Sequence, residues 1–497
     1  MTSMAVNTSL ESLDPRLFGY VEARHLLNRA GFGGTPQQVQ ALVDMGLQGA
    51  VDHLVDFHKV EPDAPAERFD PDIMRPETAE ERAQFRMARS EGNEEAFRER
   101  MRLIRAQRDN EDREQFERLG RWWLARMIST PRPLEEKLTL LWHSHFACNY
   151  RGVRDSYMLY QQNEFFRANA GGSFEALARG IIRDPAMLRF LNNDQNRRQK
   201  PNENLARELM ELFTLGEGNY TEQDIKQGAR ALTGYTIEDH SFKYDTRNHD
   251  TGAKSILDQQ GEFDGDDFVG ILLRQKACSR FIARKLYRHF VADLDAEPDN
   301  LTGQVLEKLA DAFVKQKYHI GGTLKVLFKS RHFYDEAVMG NQVKSPAQLV
   351  AGSVRALGTP VRDMAILAGA MGVMGQKLFD PPSVAGWSGG QSWINTSTLL
   401  VRQNLCVYLL TGKLPYDNGW NREQIGYDPA VLVSESQMQS RGPLVDKLLL
   451  TLIGPRVAPA RRAQLMDFLA ARPDPIKSDT VLGLLLLVTA MPEYQLC

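Results

Sequence analysis

The sequence predicts an all-α, multi-lobed helical protein with a small β-hairpin-like excursion and a long charged helical arm. Three observations point there. Helix start and stop signals recur from end to end. A run from Glu80 to Arg118 alternates Arg and Glu at helical spacing. Only residues 240–263 show strand-like alternation. The 497 residues are about three to four times a usual domain length, so two or three lobes are expected. They divide into an N-terminal helical segment (1–75), the arm (76–120), a motif-bearing core (121–275) holding the excursion, and a C-terminal helical lobe (276–497).

Composition narrows the class before any motif is considered. An apolar fraction of 42%, a charged fraction of 25% and a net charge of -3 exclude a wholly disordered chain, a collagen-like rod and a broadly basic nucleic-acid binder. Cys148, Cys278, Cys406 and Cys497 lie far apart, so neither CxxC metal spacing nor a disulfide framework is present, and they read as buried or free thiols. The first ten residues lack a basic and an apolar secretory region. The longest apolar run, Val481 to Ala490, is about half the ~20 residues that span a bilayer and reads as a core helix. No transmembrane segment and a soluble, cytoplasmic protein are therefore expected, unless a signal-bearing partner carries it across a membrane.

In chain order, VEARHLLNRA (21–30) stops at Gly31-Phe-Gly-Gly34. The next helix opens with Thr35 as N-cap, Pro36 at the first position and Gln38 closing a capping box. This glycine-rich loop lacks the P-loop lysine, which disfavours phosphate there. In the arm, Glu94/Arg98 and Glu114/Arg118 stand at i,i+4, with Phe97, Met101 and Ile104 as a thin apolar stripe. It reads as a long solvated helix or hairpin broken near Gly92-Asn93. A surface excursion held by ion pairs is favoured over an arm that grips a partner.

Three stretches, Gly171-Gly-Ser-Phe174, Gly321-Gly-Thr-Leu324 and Asp479-Thr-Val-Leu482, each lead into an amphipathic segment. They read as capped helix starts, too few for a solenoid. Residues 240–263 read as a hairpin or extended excursion of the kind that lines sites.

Potential site groups concentrate between Trp142 and Lys254. In Trp142-His-Ser-His-Phe-Ala147, His143 and His145 are two residues apart, about 200° around a helix, so they do not share a metal on a regular helix. One histidine facing a pocket and the other bonded structurally is the economical picture. In Asn202 to Phe213, Leu205, Leu209, Leu212 and Phe213 form an apolar face. Asn204, Arg207, Glu208 and Glu211 form a polar one. Glu208 and Glu211 at i,i+3 can meet, raising each other's pKa unless Arg207, a histidine or a metal neutralises them; the simpler reading is an exposed polar face. Thr221 with Asp224 opens the next helix by a capping box. Trp387 and Trp393 flank a Ser-Gly-Gly turn, with Thr396 or Ser397 capping the following helix, and read as a pinned loop more than a stacking platform. Arg284, Lys285 and Arg288 read as a solvated face.

WHSHFA, RDPAMLRFLNN, NENLARELMELFTLGEGNYTEQDI, ARALTGY and His249-Asp250 with Lys254, together with RHLLNRAGFG, SRFIARKLYRHFV and PPSVAGW with Trp393, resemble the bacterial family known as domain of unknown function 1800. The likeness runs from about residue 21 to the C-terminal PEYQL. The family's activity is not established. The resemblance implies an alkaline-phosphatase-like or sulfatase-like partner, and it picks out His143, Asn204, Arg207, Glu208, Glu211, His249 and Asp250. If the excursion folds over the WHSHF and ARELMEL helices, His143, Glu208 and His249 supply two imidazoles and a carboxylate. That set suits a divalent metal ion or general acid/base work, with Arg207, Glu211 and Asp250 as further catalytic candidates. Two functions follow as expectations: a metal- or carboxylate-dependent hydrolase, or a noncatalytic scaffold or maturation partner whose arm is the interaction surface.

Overall fold

The computed structural model describes residues 7–62, 67–90, 94–294, 299–416, 419–422 and 426–497. Helix dominates, and strand among the described residues occurs only in three two-stranded antiparallel ribbons, so the helical class holds. Buried apolar side chains form one continuous cluster from Phe18 to Tyr494, drawing on every segment of the chain except the outer arm. Among the described residues, no helix is long and apolar enough to cross a membrane. The apolar run near the C-terminus packs as a helix, Ser478–Thr489, with Val481, Leu484, Leu485 and Val488 inside. All four cysteines are buried free thiols.

Local capping signals are realised where their chemistry is self-contained. Thr35 accepts from the Gln38 amide while Gln38 closes back on Thr35, with Pro36 first in the helix. Thr221 and Asp224 do the same. Of the three glycine or threonine starts, the first holds, with Ser173 capping Phe174–Ile181. In the second the cap is His319, so Gly321 and Gly322 fall inside the first turn. In the third the helix begins at Ser478 after Lys477, before the expected Asp479-Thr480 cap. The first two starts lie side by side, because the amides of Ile320 and Gly321 donate to the carbonyls of Gly172 and Gly171.

The arm is a helical hairpin of Ala79–Ser90 and Glu94–Ser129; the expected break at Gly92-Asn93 lies outside the described residues. Phe85 meets Phe97 edge-on at 5.7 Å, with Met101 and Ile104 half-buried on the same stripe. The expected Glu114/Arg118 pair gives way to Arg118 reaching Glu67 at 3.2 Å. From Asp112 onward one face of the long helix joins the core. The buried Asp112 carboxylate accepts from the Ser156 amide and hydroxyl (2.9 and 2.7 Å) and the Tyr150 hydroxyl (2.8 Å).

The expected excursion is two hairpins, and the first starts before residue 240. Tyr235–Glu238 pairs with Ser241–Tyr244, and Lys254–Ile256 with Gln259–Gly261. Both turn on two residues of positive φ, Asp239-His240 and Leu257-Asp258, the backbone that closes a two-residue hairpin. His240 Nε2 lies 2.9 Å from the buried Asp155 carboxylate and ties the first turn to the helical body.

At the centre lies the helix Pro133–His145, buried at nearly every residue. Its Glu136, fully buried, accepts from Arg126 Nε (2.9 Å), Arg167 Nε (2.8 Å) and Trp123 Nε1 (2.8 Å). Burial pushes this carboxyl's pKa up, but the Arg167 and Arg126 guanidiniums outweigh it and hold it below the ordinary value. Glu136→Gln leaves buried cations short of their counter-charge, so urea unfolding is expected to show a loss of about 3 to 5 kcal/mol at neutral pH. A folded-state carboxyl held low stabilises above its unfolded pKa and loses that contribution as pH falls. The difference between wild type and variant therefore shrinks below about pH 4.5.

Candidate functional site

One face of the Pro133–His145 helix forms the floor of a cleft. Lys137, Leu140, Leu141, Ser144 and His145 recur at helical spacing along it. The helix Lys276–Phe290 supplies the facing wall with Lys285, Arg288 and His289, at i, i+3 and i+4. The loop carrying Trp387-Ser-Gly-Gly390 and Trp393 supplies the third side, with Asp293 at the rim. The space inside the cleft is about 150 Å³, well under the ~300–1,000 Å³ of drug-sized sites.

The loop is held by close packing. Gly386 sits at φ 79°, and a Cβ there would lie 2.2 Å from the Ser144 carbonyl oxygen, so only glycine lets the loop press on the end of the floor helix. An Arg288 guanidinium nitrogen donates to the Ser388 carbonyl. Trp387 and Trp393 are both buried, so the pinned-loop reading holds, and the two rings also line the cleft. The expected Thr396 or Ser397 cap is instead Asn395, which accepts from Thr398.

Protonation states follow from the hydrogen bonds. His145 Nε2 lies 3.0 Å from the Phe213 carbonyl. A carbonyl only accepts, so Nε2 carries the proton and Nδ1 presents a lone pair. That Nδ1 is buried without a partner, as are His289 Nε2 and Trp387 Nε1, and all three residues line this cleft. The Phe213 carbonyl is available because Leu209–Thr214 is a π-helical turn at a helix end, where backbone acceptors lack intrahelical donors. Burial, then the Lys285 charge, holds the His145 pKa well below the usual histidine range. Burial takes His289 to about 3.

The cations are equally perturbed. Burial pushes Lys137 down to about 8; its ammonium donates to Gln348 Oε1 and lies 5.1 Å from the Phe32 ring centroid. Burial, then Arg288 and Arg284, pushes Lys285 down to about 8. Lys285 has no hydrogen-bond or ion-pair partner among the described residues; its ammonium lies 5.1 Å from the Phe281 ring centroid. The expected solvated face of Arg284, Lys285 and Arg288 is thus corrected at Lys285, which is half-buried and faces the cleft.

The residues chosen from sequence do not gather as one metal set. His143 is the structural histidine: its Nε2 accepts from the Phe379 amide at 3.2 Å among Trp123, Phe379 and Trp387, and burial takes its pKa to about 3. One histidine faces the cleft and the other is bonded structurally, but the roles are exchanged, because Phe379 claims His143. His249 is buried and donates from Nδ1 to the Thr233 carbonyl at 2.9 Å. Asp250 forms a two-pronged pair with Arg230 (2.7 and 3.0 Å), which lowers its pKa, and Lys254 donates to the Asp250 carbonyl at 2.6 Å. Arg207 is paired with Glu222 and Glu203, and Asn204 is exposed. Among the described residues, no three His, Cys, Asp or Glu side chains come together as a metal site. The expected His143, Glu208 and His249 metal centre is therefore not formed.

Glu208 and Glu211 remain together on one side. Burial, then the Glu211 charge, raises the Glu208 pKa, and Glu208 has no hydrogen-bond partner among the described residues. Glu211 accepts from the Tyr220 hydroxyl at 2.8 Å. Lys137, Lys285 and His289 were missed as site residues. Their signal was present: Lys137 stands in an otherwise apolar stripe, and Lys285, Arg288 and His289 share one helical face.

A family model described as protein of unknown function (DUF1800) matches residues 25–496. No curated protein and no solved structure matches the chain.

Gly386→Ala introduces both a strained positive φ and an overlap with the Ser144 carbonyl. A loss of about 2 kcal/mol or more is expected in chemical denaturation, against no loss and a gain of up to about 1 kcal/mol for Gly303→Ala, a helical glycine with open space around its Cβ position.

Proposed function

The chain belongs to the family described as protein of unknown function (DUF1800), which specifies no reaction, and from that premise we propose that it is a hydrolase whose working site is the cationic cleft. The observation that carries this reading is the buried, unpartnered lone pair on Nδ1 of His145, a residue lining a cleft that also holds two lysines with depressed pKa values. A water molecule there gives its proton to His145 Nδ1 while its oxygen attacks the electrophilic centre of an ester. The bond to the leaving oxygen breaks, and that oxygen takes a proton from the Lys137 ammonium. Proton exchange with solvent then restores His145 and Lys137. A negative group of the substrate beside Lys285 offsets the charge that depresses the His145 pKa, so the base strengthens when substrate is bound.

The carboxylate form of the hydrolase reading rests on Glu208, whose raised pKa and unpartnered oxygens suit an acid. A second reading, as scaffold or maturation partner of an alkaline-phosphatase-like or sulfatase-like protein, is supported by the arm, whose residues from Ala79 to Glu111 are largely exposed. About 27 Å of its longer helix stands clear of the core. Loss of co-purification with such a partner on deleting the arm, with hydrolysis unchanged, is the result this second reading expects.

Hydrolysis of p-nitrophenyl acetate, phosphate and sulfate tests the main reading. His145→Gln is expected to lower kcat by about 10²- to 10⁴-fold, and Glu208→Gln to leave it within about threefold if the cleft alone is the site. The general acid must be protonated, so kcat/KM falls as pH rises through about 8, where Lys137 loses its proton. Arg29, Lys285, Arg288, His289, Asp293 and Cys497 are the other ionisable groups around that lysine and the cleft. Unchanged kcat in His145→Gln, or a profile flat from pH 7 to 10, contradicts the assignment.

A further inference from the structure

We infer that the cleft recognises a compact tetrahedral oxyanion, the phosphate or sulfate group of an ester, held by Lys285, Arg288 and Trp387 Nε1. This deepens the hydrolase reading and rests on it for taking the cleft as the working site. Charge is the first ground. Lys285 lies in a half-buried position where its charged neighbours, Arg288 and Arg284, are both positive, and its ammonium reaches no carboxylate among the described residues. Burial raises the pKa of the Asp293 carboxyl against the opposing charges of Arg288 and Arg29, and no ion pair joins it to Lys285 among the described residues. Lys285 therefore keeps an unmatched charge, which a bound anion would offset.

Hydrogen bonding is the second ground. Trp387 is 9% exposed, yet its indole N–H is buried with no acceptor, and an indole nitrogen can only donate. A buried donor without an acceptor costs about 1–3 kcal/mol, and a ligand oxygen in the cleft removes that cost. The three donors stand on two walls, the helix Lys276–Phe290 and the Trp387 loop. Donors on two walls suit the outward oxygens of a tetrahedral group better than the two coplanar oxygens of a carboxylate. The His145 Nδ1 lone pair repels such oxygens and marks where the attacking water stands.

Size is the third ground. About 150 Å³ inside the cleft admits a headgroup with a small appendage, and any bulkier part of a ligand would lie outside its mouth. The reaction written above then reads R–O–PO₃²⁻ + H₂O → R–OH + HO–PO₃²⁻ for a phosphate ester and R–O–SO₃⁻ + H₂O → R–OH + HO–SO₃⁻ for a sulfate ester, with X the phosphorus or sulfur. The bond broken is that between X and the ester oxygen, the new bond joins X to the water oxygen, and no electrons change hands.

Isothermal titration and thermal unfolding of the full chain with inorganic phosphate, sulfate and acetate test the inference without turnover. Phosphate or sulfate is expected to bind at least about tenfold more tightly than acetate. Lys285→Met should raise its Kd at least about tenfold and Trp387→Phe about three- to tenfold, because a charged donor contributes more than a neutral one. Arg288→Met, at an exposed position, gives a second reading of the same loss if Lys285→Met does not fold. Equal binding of acetate, or undiminished phosphate and sulfate binding in both the Lys285 and Arg288 variants, overturns the inference. Anion binding with no hydrolysis of any ester removes the hydrolase reading and leaves the inference standing. Hydrolysis of the acetate ester alone, with no phosphate or sulfate bound, does the reverse.

Discussion

A charge taken out of water must be met by an opposite charge or lose its proton, and the Pro133–His145 helix is organised by that constraint. Glu136 is met: two guanidiniums and an indole N–H surround it, and the long arm helix, through Trp123 and Arg126, is fixed to the core by the same contacts. Lys137, the next residue, points to another side, where it finds a neutral glutamine oxygen and an aromatic face, and its pKa falls. His143 and His145 lose their charge to burial altogether. A single helix thus carries a matched ion cluster on one face and, on another, a cleft whose two lysines have no ion-pair partner among the described residues.

The cleft follows from what packs against that helix. Gly386 lets the Trp387 loop approach the last turn closely enough to cover it, and Arg288 fastens the loop to the opposite wall through the Ser388 carbonyl. The π-helical turn at Leu209–Thr214 offers the Phe213 carbonyl, which fixes the tautomer of His145 and leaves its Nδ1 lone pair without a partner. The carboxylates of that region, Glu208 and Glu211, come immediately before this carbonyl in sequence, so the motif contributes to the cleft through its backbone as well as holding a separate acidic pair.

What the sequence made legible was whatever a few neighbouring residues decide. The Thr35 and Thr221 caps, the solvated arm with its Phe97 stripe, and the buried C-terminal helix are local consequences of capping and periodicity. The first hairpin was placed late because its turn is Asp239-His240, with no glycine to announce it. The spacing of His143 and His145 correctly separated their roles, but which one faces the cleft depends on Phe379 and Phe213, far away in the chain. The i, i+3, i+4 grouping of Lys285, Arg288 and His289 was visible, yet a basic helical face looks the same whether water or a loop 100 residues later lies against it. His249 and Asp250 stand inside conspicuous motifs and serve to tie the hairpins to Thr233 and Arg230.

The central claim is that Lys285 and Trp387 together leave a place for an oxyanion that the protein does not fill itself. Anomalous diffraction from crystals of the full chain grown or soaked with selenate tests it most directly, because selenium marks a tetrahedral dianion without reference to turnover. The account predicts a selenium peak inside the cleft, within about 4 Å of Lys285 Nζ and Trp387 Nε1, the reach of a hydrogen-bonded oxygen plus its bond to selenium. Selenium found only on the outer surface, with a carboxylate of the chain itself seated against Lys285, would contradict it.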